Sequence, residues 1–101
     1  MKNYVSIIGR LGKEPEVKDI GGAMLCKLSV ATSSSKKTKS GEWSEETQWH
    51  QISVWGKEAE KIAEKNLPKG SQIGVDGSIH YNQGKDTKFY PEIKARKVYF
   101  V

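Results

Sequence analysis

Two tryptophans share one side of a predicted strand, which is an unusual place for large rings. Within residues 47–56 the side chains alternate, so Ile52 and Val54 lie on one side and Trp49 and Trp55 on the other. The branched apolar side chains predict a core-facing side. The two indoles are therefore expected on the outward side, about six residues apart.

Polar neighbours support an outward position for both rings. Gln51 and Ser53 share their side of the strand, and each would need a hydrogen-bond partner if that side were buried. Exposed indoles can stack on unpaired nucleobases, with about 1–3 kcal/mol per base whatever its identity. Bases of a duplex are already stacked on each other. The alternative, that Trp49 and Trp55 pack under a loop or at a subunit contact, stays open.

Lysines and further aromatic residues flank this strand and its neighbours in the sequence. Cations that follow the phosphates and rings that stack on bases are the two components of sequence-tolerant single-strand binding. The same lysine-rich segments can also be solvated loops. The expected nucleic-acid-binding residues are Trp49, Trp55, Lys36, Lys37, Lys39, Trp43, Gln51, Lys57, Lys69, Tyr81, Lys88, Phe89 and Tyr90.

Composition and motif spacing argue against an enzyme. The net charge of +5 favours a polyanionic partner, although charge alone is weak evidence. No acids or histidines stand at metal-ligand spacing, and no Ser or Cys lies beside a plausible base, so no catalytic residue, metal or cofactor is expected. The single cysteine, Cys26, fits a buried apolar strand position in a reducing compartment. No apolar run approaches the roughly 20 residues of a membrane span, and a cytoplasmic location is expected.

Hydrophobic periodicity predicts five strands and one short helix. The predicted strands run through residues 4–11, 24–32, 47–56, 71–81 and about 87–99. Residues 57–66 carry an apolar stripe at helical spacing, and the polar segments 33–46 and 82–86 are expected to form hairpin tips. Three strands, a helix and two strands predict an all-β, five-stranded Greek-key OB-fold barrel in a single domain, residues 1–101. An SH3-like barrel or an open sheet with one helix remains possible from periodicity alone.

Four segments resemble the bacterial-type single-stranded DNA-binding proteins. They are IIGRLGKEPEVK (7–18), LSVATS (28–33), TQWHQISVWGKEAE (47–60) and LPKGSQIGVDGSI (67–79), in matching order and spacing. The resemblance implies an OB-fold that binds single-stranded DNA during replication, recombination or repair. It also implies a homo-oligomer, either a tetramer of paired barrels or a dimer.

The resemblance assigns roles to single residues. It implies base stacking by Trp49 and Trp55, phosphate contacts by Lys57 and Lys69, and a position near the subunit contact for His50. An accessory OB-fold of the primosomal type, whose tryptophans meet a protein partner, is the alternative function.

The chain departs from the family in three places. Ser35-Lys36-Lys37 stands where members often carry a stacking tryptophan, and the second hairpin is shorter, so that Tyr81, Phe89 and Tyr90 are only candidates there. The chain stops at Val101 without the family's acidic tail, so tail-mediated recruitment of partners is not expected. It is either a core of a longer protein or a compact version such as phages and mobile elements carry, acting at the nucleoid or at phage or plasmid replication sites.

Overall fold

Alternating apolar residues build the barrel of this protein, which is described over residues 1–101 in a computed structural model. The inward residues of five strands form one buried cluster that includes Val30, Val54, Ile73 and Val98. The elements in chain order are β1 (Val5–Leu11), β2 (Glu16–Ile20), β3 (Ala23–Lys37), β4 (Trp43–Trp55), α1 (Lys57–Lys65), β5 (Gln72–Gln83) and β6 (Phe89–Phe100).

The sheet closes on itself through pairings between strands that are distant in sequence. Its order is β1-β5-β6-β4-β3-β2, and β1 also pairs with β3, with Leu11 opposite Val30. A short parallel pairing joins β4 to β6 where Ile52 lies opposite Ile93. Strands β1, β3, β4, β5 and β6 therefore form a five-stranded barrel, and the predicted OB-fold with one short helix is confirmed.

Strand β2 is an element that the periodicity did not predict. Residues 16–20, which lie between the first two predicted strands, pair with the start of β3 across the Gly21–Gly22 turn. Both glycines have positive φ, 60° and 87°, which the hairpin turn requires. Every residue of β2 is exposed, so the strand carries no alternation between buried and exposed positions that would have identified it.

The strands of the first hairpin, β3 and β4, are longer than expected, and the loop between them is shorter. The segment 33–46 was predicted to be a polar tip, but only residues 38–42 lie between the strands, and the pairing extends to Lys37 opposite Trp43. This part of the hairpin is exposed on both sides. A two-stranded ribbon in solvent has no buried side, so its sequence need not alternate, and the strand signal was lost.

The helix closes one end of the barrel and fixes the end of β4. Gly56, with φ 67°, turns the chain from β4 into α1, and its N–H donates to the carbonyl of Met24 at 2.9 Å. Ala59 and Ile62 are buried against the core. Glu58 accepts a 2.9 Å hydrogen bond from the backbone N–H of Val98, which ties α1 to β6. At nine residues, α1 is not long enough to cross a membrane.

Candidate nucleic-acid interface

Trp49 and Trp55 lie on the outward side of β4. Their exposed fractions are 58% and 46%, whereas Ile52 and Val54 on the inward side are almost fully buried. At about 3.3 Å per residue the two indoles are about 20 Å apart along the strand. We call the outward side of β3, β4 and β6, on which both rings lie, the tryptophan face.

The Trp49 ring packs against Gly12, the residue that follows β1. A Cβ placed on Gly12 would lie 2.8 Å from Cη2 of Trp49, and closer still to Cζ3. The backbone of Gly12 is itself fixed, because its N–H donates to the carbonyl of Ser29 at 2.9 Å. The indole therefore rests against a position where only glycine leaves room, with its remaining surface in solvent.

A groove of about 270 Å³ brings Trp49 together with the aromatic residues of the second hairpin. It forms because β4 and β6 pair over only two positions and then diverge. We call it the Trp49 groove. Its lining residues are Trp49, His50, Gln51, Ile79, Tyr81, Tyr90, Pro91 and Ile93. Four of the predicted binding residues, Trp49, Gln51, Tyr81 and Tyr90, thus share one concave surface.

Tyr90 is held in place by its own hairpin. Its hydroxyl donates to Oδ2 of Asp86, whose Oδ1 accepts from the backbone N–H of Lys88 at 3.2 Å. A Cβ on Gly84 would lie 2.6 Å from Cε2 of Tyr90, so the ring lies directly over that glycine. The hydrogen bond from Tyr90 lowers the pKa of Asp86, and the same bond raises the pKa of the Tyr90 phenol. The pair therefore stays a neutral phenol bonded to a carboxylate at neutral pH.

A second groove of about 240 Å³ adjoins the first along the tryptophan face. We call it the Lys27 groove; it is lined by Lys27, Gln51, Ile52, Asn82, Tyr90, Pro91 and Glu92. Gln51, Tyr90 and Pro91 line both grooves. The Nε2 of Gln51 donates to Ser29 Oγ at 3.3 Å, which holds the amide against the sheet. The two grooves are therefore neighbours that share Tyr90 as a lining residue.

The other predicted residues lie outside both grooves. Trp43 stands opposite Lys37 at the far end of the first hairpin and is 70% exposed. Lys57 is the first residue of α1. Six more predicted residues are exposed on hairpins or turns and line neither groove: Lys36, Lys37, Lys39, Lys69, Lys88 and Phe89.

His50 points inward from β4, opposite to the tryptophans. It is half-buried, and its Nε2 lies 2.8 Å from Oγ1 of Thr32 on β3. This hydrogen bond gives one ring nitrogen a partner, and the ring lies on the wall of the Trp49 groove. Its expected position near a subunit contact stays a prediction.

Sequence reasoning missed the residues that position the rings. Gly12, Gly84 and Asp86 carry no stacking or phosphate-binding chemistry of their own, and none was named as a site residue. For Asp86 a local signal existed, since it lies four residues before Tyr90 in the same hairpin. For Gly12 there was none, because it lies 37 residues from Trp49 in sequence. Only the β1–β3 and β3–β4 pairings bring these two residues together.

Comparison with known sequences decides the family. The sequence profile of the Single-strand binding protein family matches residues 2–101. The chain belongs to this family. The membership confirms the resemblance found in the four segments.

Relatives of this single-strand binding family member agree in sequence and in fold. A single-stranded DNA-binding protein of Xylella fastidiosa is 42% identical over 98 residues, which cover 92% of this chain and 59% of that protein. The single-stranded DNA binding protein of Thermus aquaticus, solved as a deletion mutant, superimposes with a TM-score of 0.86 at 25% identity, covering 99% of this chain and 50% of that one. A Plasmodium falciparum SSB in complex with ssDNA superimposes with a TM-score of 0.84 at 28% identity, and the match covers 100% of this chain and 96% of that one.

The length of these relatives differs from that of this chain. The chain spans 59% of the Xylella fastidiosa relative and half of the Thermus aquaticus chain, but nearly all of the Plasmodium falciparum chain. The shared part is thus nearly all of the chain described above.

Proposed function

We propose that this domain binds single-stranded DNA with little sequence preference and protects it during replication, recombination or repair. Bases stack on Trp49 and Trp55, and lysines contact the phosphates. The observation that carries the proposal is that both indoles stand exposed on one face, with no cation over either ring. The cations that do lie over aromatic rings are Lys65 over Phe100, Arg96 over Tyr4 and Lys97 over Tyr99.

The Trp49 groove supports this proposal over a protein-binding role for the same rings. Trp49, Tyr81 and Tyr90 line one groove together with the amide of Gln51. Flat rings with a nearby amide suit a nucleobase, which offers a π-face and hydrogen-bonding edges. The relatives named above are single-stranded DNA-binding proteins, and one of them is a complex with ssDNA.

Fluorescence titration tests this function directly. We expect oligo-dT to quench tryptophan emission in proportion to binding, and Trp49→Phe and Trp55→Phe each to remove part of that quenching. A duplex of the same length should compete poorly, because its bases are not free to stack. An unlabelled oligo-rU measures the preference for DNA over RNA. A protein that shows no quenching with any single strand would contradict the proposal.

We also propose that the chain forms a homo-oligomer, a dimer or a tetramer. The outward side of β1, β5 and the end of β6, which we call the β1–β5–β6 face, exposes Tyr4, Ile8 and Tyr99. Large exposed apolar groups on a flat sheet face favour contact with a second copy. Light scattering should give a multiple of the chain mass that falls on Ile8→Asp. A monomeric wild-type chain at all concentrations would contradict this.

The proposed place of action follows from the proposed ligand. Single-stranded DNA arises where duplexes are opened, so we place the protein in the cytoplasm, at the nucleoid or at phage or plasmid replication sites. Fluorescence microscopy of a tagged chain should show foci that coincide with active replication, and a diffuse signal unaffected by replication arrest would contradict this placement.

A further inference from the structure

Three residues with phosphate-binding chemistry lie side by side across the tryptophan face. Strand register places Lys27 of β3 directly opposite Ser53 of β4, and Ser53 directly opposite Lys94 of β6. All three lie on the outward side, because their neighbours Cys26, Ile52 and Ile93 are the inward, buried ones. We call these three residues the lysine row.

Ser53 is the unusual member of the row. It is only 5% exposed although it lies on the outward side, and its hydroxyl is the single buried side-chain polar group without a hydrogen-bond partner. Buried hydroxyls normally have a partner, because an unmade hydrogen bond lowers stability. A hydroxyl that can donate and that lies between two lysines fits an anionic oxygen.

The two lysines are available for such a ligand. The ion pairs of the chain, Lys18–Glu16 and Lys61–Glu58, involve neither Lys27 nor Lys94. Both lysines are exposed, and their flexible four-carbon stems allow the ammonium groups to move over the hydroxyl or away from it.

Two carboxylates lie near the row. Glu16 stands opposite Lys27 on β2, but it is already paired with Lys18 at 3.2 Å. Glu92 lines the Lys27 groove, two residues before Lys94 on the same side of β6. Two ammonium groups at Lys27 and Lys94 therefore face one unpaired carboxylate, which leaves the row with a positive balance.

The position of the row determines which anion reaches it. Ser53 lies two residues from Trp55 and four from Trp49 on the same side of β4, so the row crosses the path between the two indoles. That path is about 20 Å long, whereas stacked nucleotides are spaced by about 3.4 Å. A strand stacked on both rings therefore has several phosphates between the rings, and its path crosses the row.

We propose that Lys27, Ser53 and Lys94 form a subsite for a backbone phosphodiester of the bound strand, with the Ser53 hydroxyl donating to a phosphate oxygen between the two ammonium groups. This subsite rests on the proposed function and adds to it. It assigns the middle of the tryptophan face to the backbone and leaves the rings at either end to the bases.

The salt dependence of binding tests the lysines. The slope of log affinity for oligo-dT against log salt concentration should fall by about 0.7 for Lys27→Ala, by about 0.7 for Lys94→Ala, and by the sum in the double variant. The quenching at saturation should stay that of wild type, since both indoles remain. Lys65→Ala, which removes the same charge from α1, is the matched control and should keep the wild-type slope.

Ser53→Ala tests the hydroxyl. We expect the affinity to fall by roughly tenfold, as for a lost hydrogen bond to a charged group. The melting temperature should stay the same or rise, because an unpaired buried hydroxyl is removed. A purely structural serine would change the melting temperature and leave the affinity unchanged.

The outcomes separate the subsite from the function on which it rests. Wild-type protein without quenching by oligo-dT overturns both. Wild-type quenching combined with unchanged slopes in the lysine variants, and unchanged affinity in Ser53→Ala, overturns the subsite alone and leaves stacking intact.

Discussion

The tryptophan face and the β1–β5–β6 face both expose aromatic rings, but they differ in what already contacts those rings. On the β1–β5–β6 face, Lys97 lies 5.3 Å from the ring centre of Tyr99 and Arg96 lies 5.9 Å from that of Tyr4. The hydroxyl of Tyr99 donates to Asp76 at 2.8 Å. Over Trp49 and Trp55 there is no cation. Exposure alone therefore does not identify a stacking ring; an unoccupied π-face does.

The two faces also treat their acidic residues differently. Asp76 accepts hydrogen bonds from Ser6 at 2.7 Å and from Tyr99, which lower its pKa. It lies in the middle of an open sheet face. Asp86 accepts from Tyr90 and holds that ring at the edge of two grooves. A Tyr–Asp hydrogen bond thus occurs on both faces. Between Tyr99 and Asp76 it pairs two polar groups of the sheet surface, and between Tyr90 and Asp86 it orients a ring that lines the grooves.

Removal of the indoles should have the largest effect. Trp49→Ala and Trp55→Ala should each weaken binding of oligo-dT by about 1–3 kcal/mol, with little change in melting temperature, because the rings are exposed. Fluorescence anisotropy with a short labelled oligonucleotide measures the affinity. Tyr99→Ala is the control on the other face and should keep the affinity for an oligonucleotide that occupies one protomer.

Either tryptophan variant could instead unfold the protein. That result would mean that the ring is part of the core and that the distinction between the two faces is wrong.

Gly12→Ala should have the next largest effect. The added Cβ overlaps the Trp49 ring, so the indole must move away from β1, and the affinity should fall between those of wild type and Trp49→Ala. Gly74→Ala on the β1–β5–β6 face is the control, since its Cβ would lie 3.4 Å from Tyr99 Cβ and 3.5 Å from Ile8 Cγ1, ordinary contacts. Equal affinities for the two variants would show that the position of Trp49 does not matter.

Loss of the Asp86 carboxylate should have a smaller effect. Asp86→Asn weakens the tie to Tyr90, and we expect roughly a three- to tenfold loss of affinity, as for one net hydrogen bond. Tyr90→Phe should match it, whereas Asp76→Asn should leave the affinity of a short oligonucleotide unchanged.

The hydrogen bond between Tyr90 and Asp86 depends on pH in a direction that the pKa of Asp86 sets. The pKa of Asp86 is lowered from 3.8 in the folded protein, so the tie is complete above that ordinary value and is lost as pH falls through the lowered one. The contribution of Asp86 to the affinity should therefore be constant between about pH 5 and 8, where its carboxylate stays charged. A difference between wild type and Asp86→Asn that vanishes within this range would contradict the assignment.

The first hairpin should contribute least. Lys36→Ala and Lys37→Ala should each lower the log–log salt slope by about 0.7 for single strands, with the loss of affinity largest at low salt and small at high salt. A slope that neither substitution changes would remove this hairpin from the path of the strand and would confine binding to the tryptophan face.

Sequence periodicity predicted those parts of the fold that have a buried side. The inward residues of β3, β4 and β5 alternate, so their existence and order, and the helix after β4, were predicted correctly. Strand β2 and the outer half of the first hairpin have no buried side, and both were missed. Burial of one side produces the alternation of apolar and polar residues by which a strand is recognised. Exposed strands form by backbone pairing and need no such alternation.

The candidate site was predictable to a similar degree. Trp49 and Trp55 were placed on the outward side from their neighbours on one strand. The grouping of Trp49 with Tyr81 and Tyr90 was not, because the three rings come from β4, β5 and the start of β6. Which aromatic residue of a hairpin lies in a groove depends on how far the neighbouring strands diverge, and this is set by the two-residue pairing of β4 with β6.

Local order along the chain was enough to decide which side chains of each strand face water, since alternation is a property of the extended backbone and needs no partner. The grooves and the lysine row required barrel closure. Gly12 reaches Trp49, and Lys94 reaches Ser53, only through pairings between strands that lie tens of residues apart. Such long-range pairings depend on the fit of the whole core, which no single segment of the chain contains.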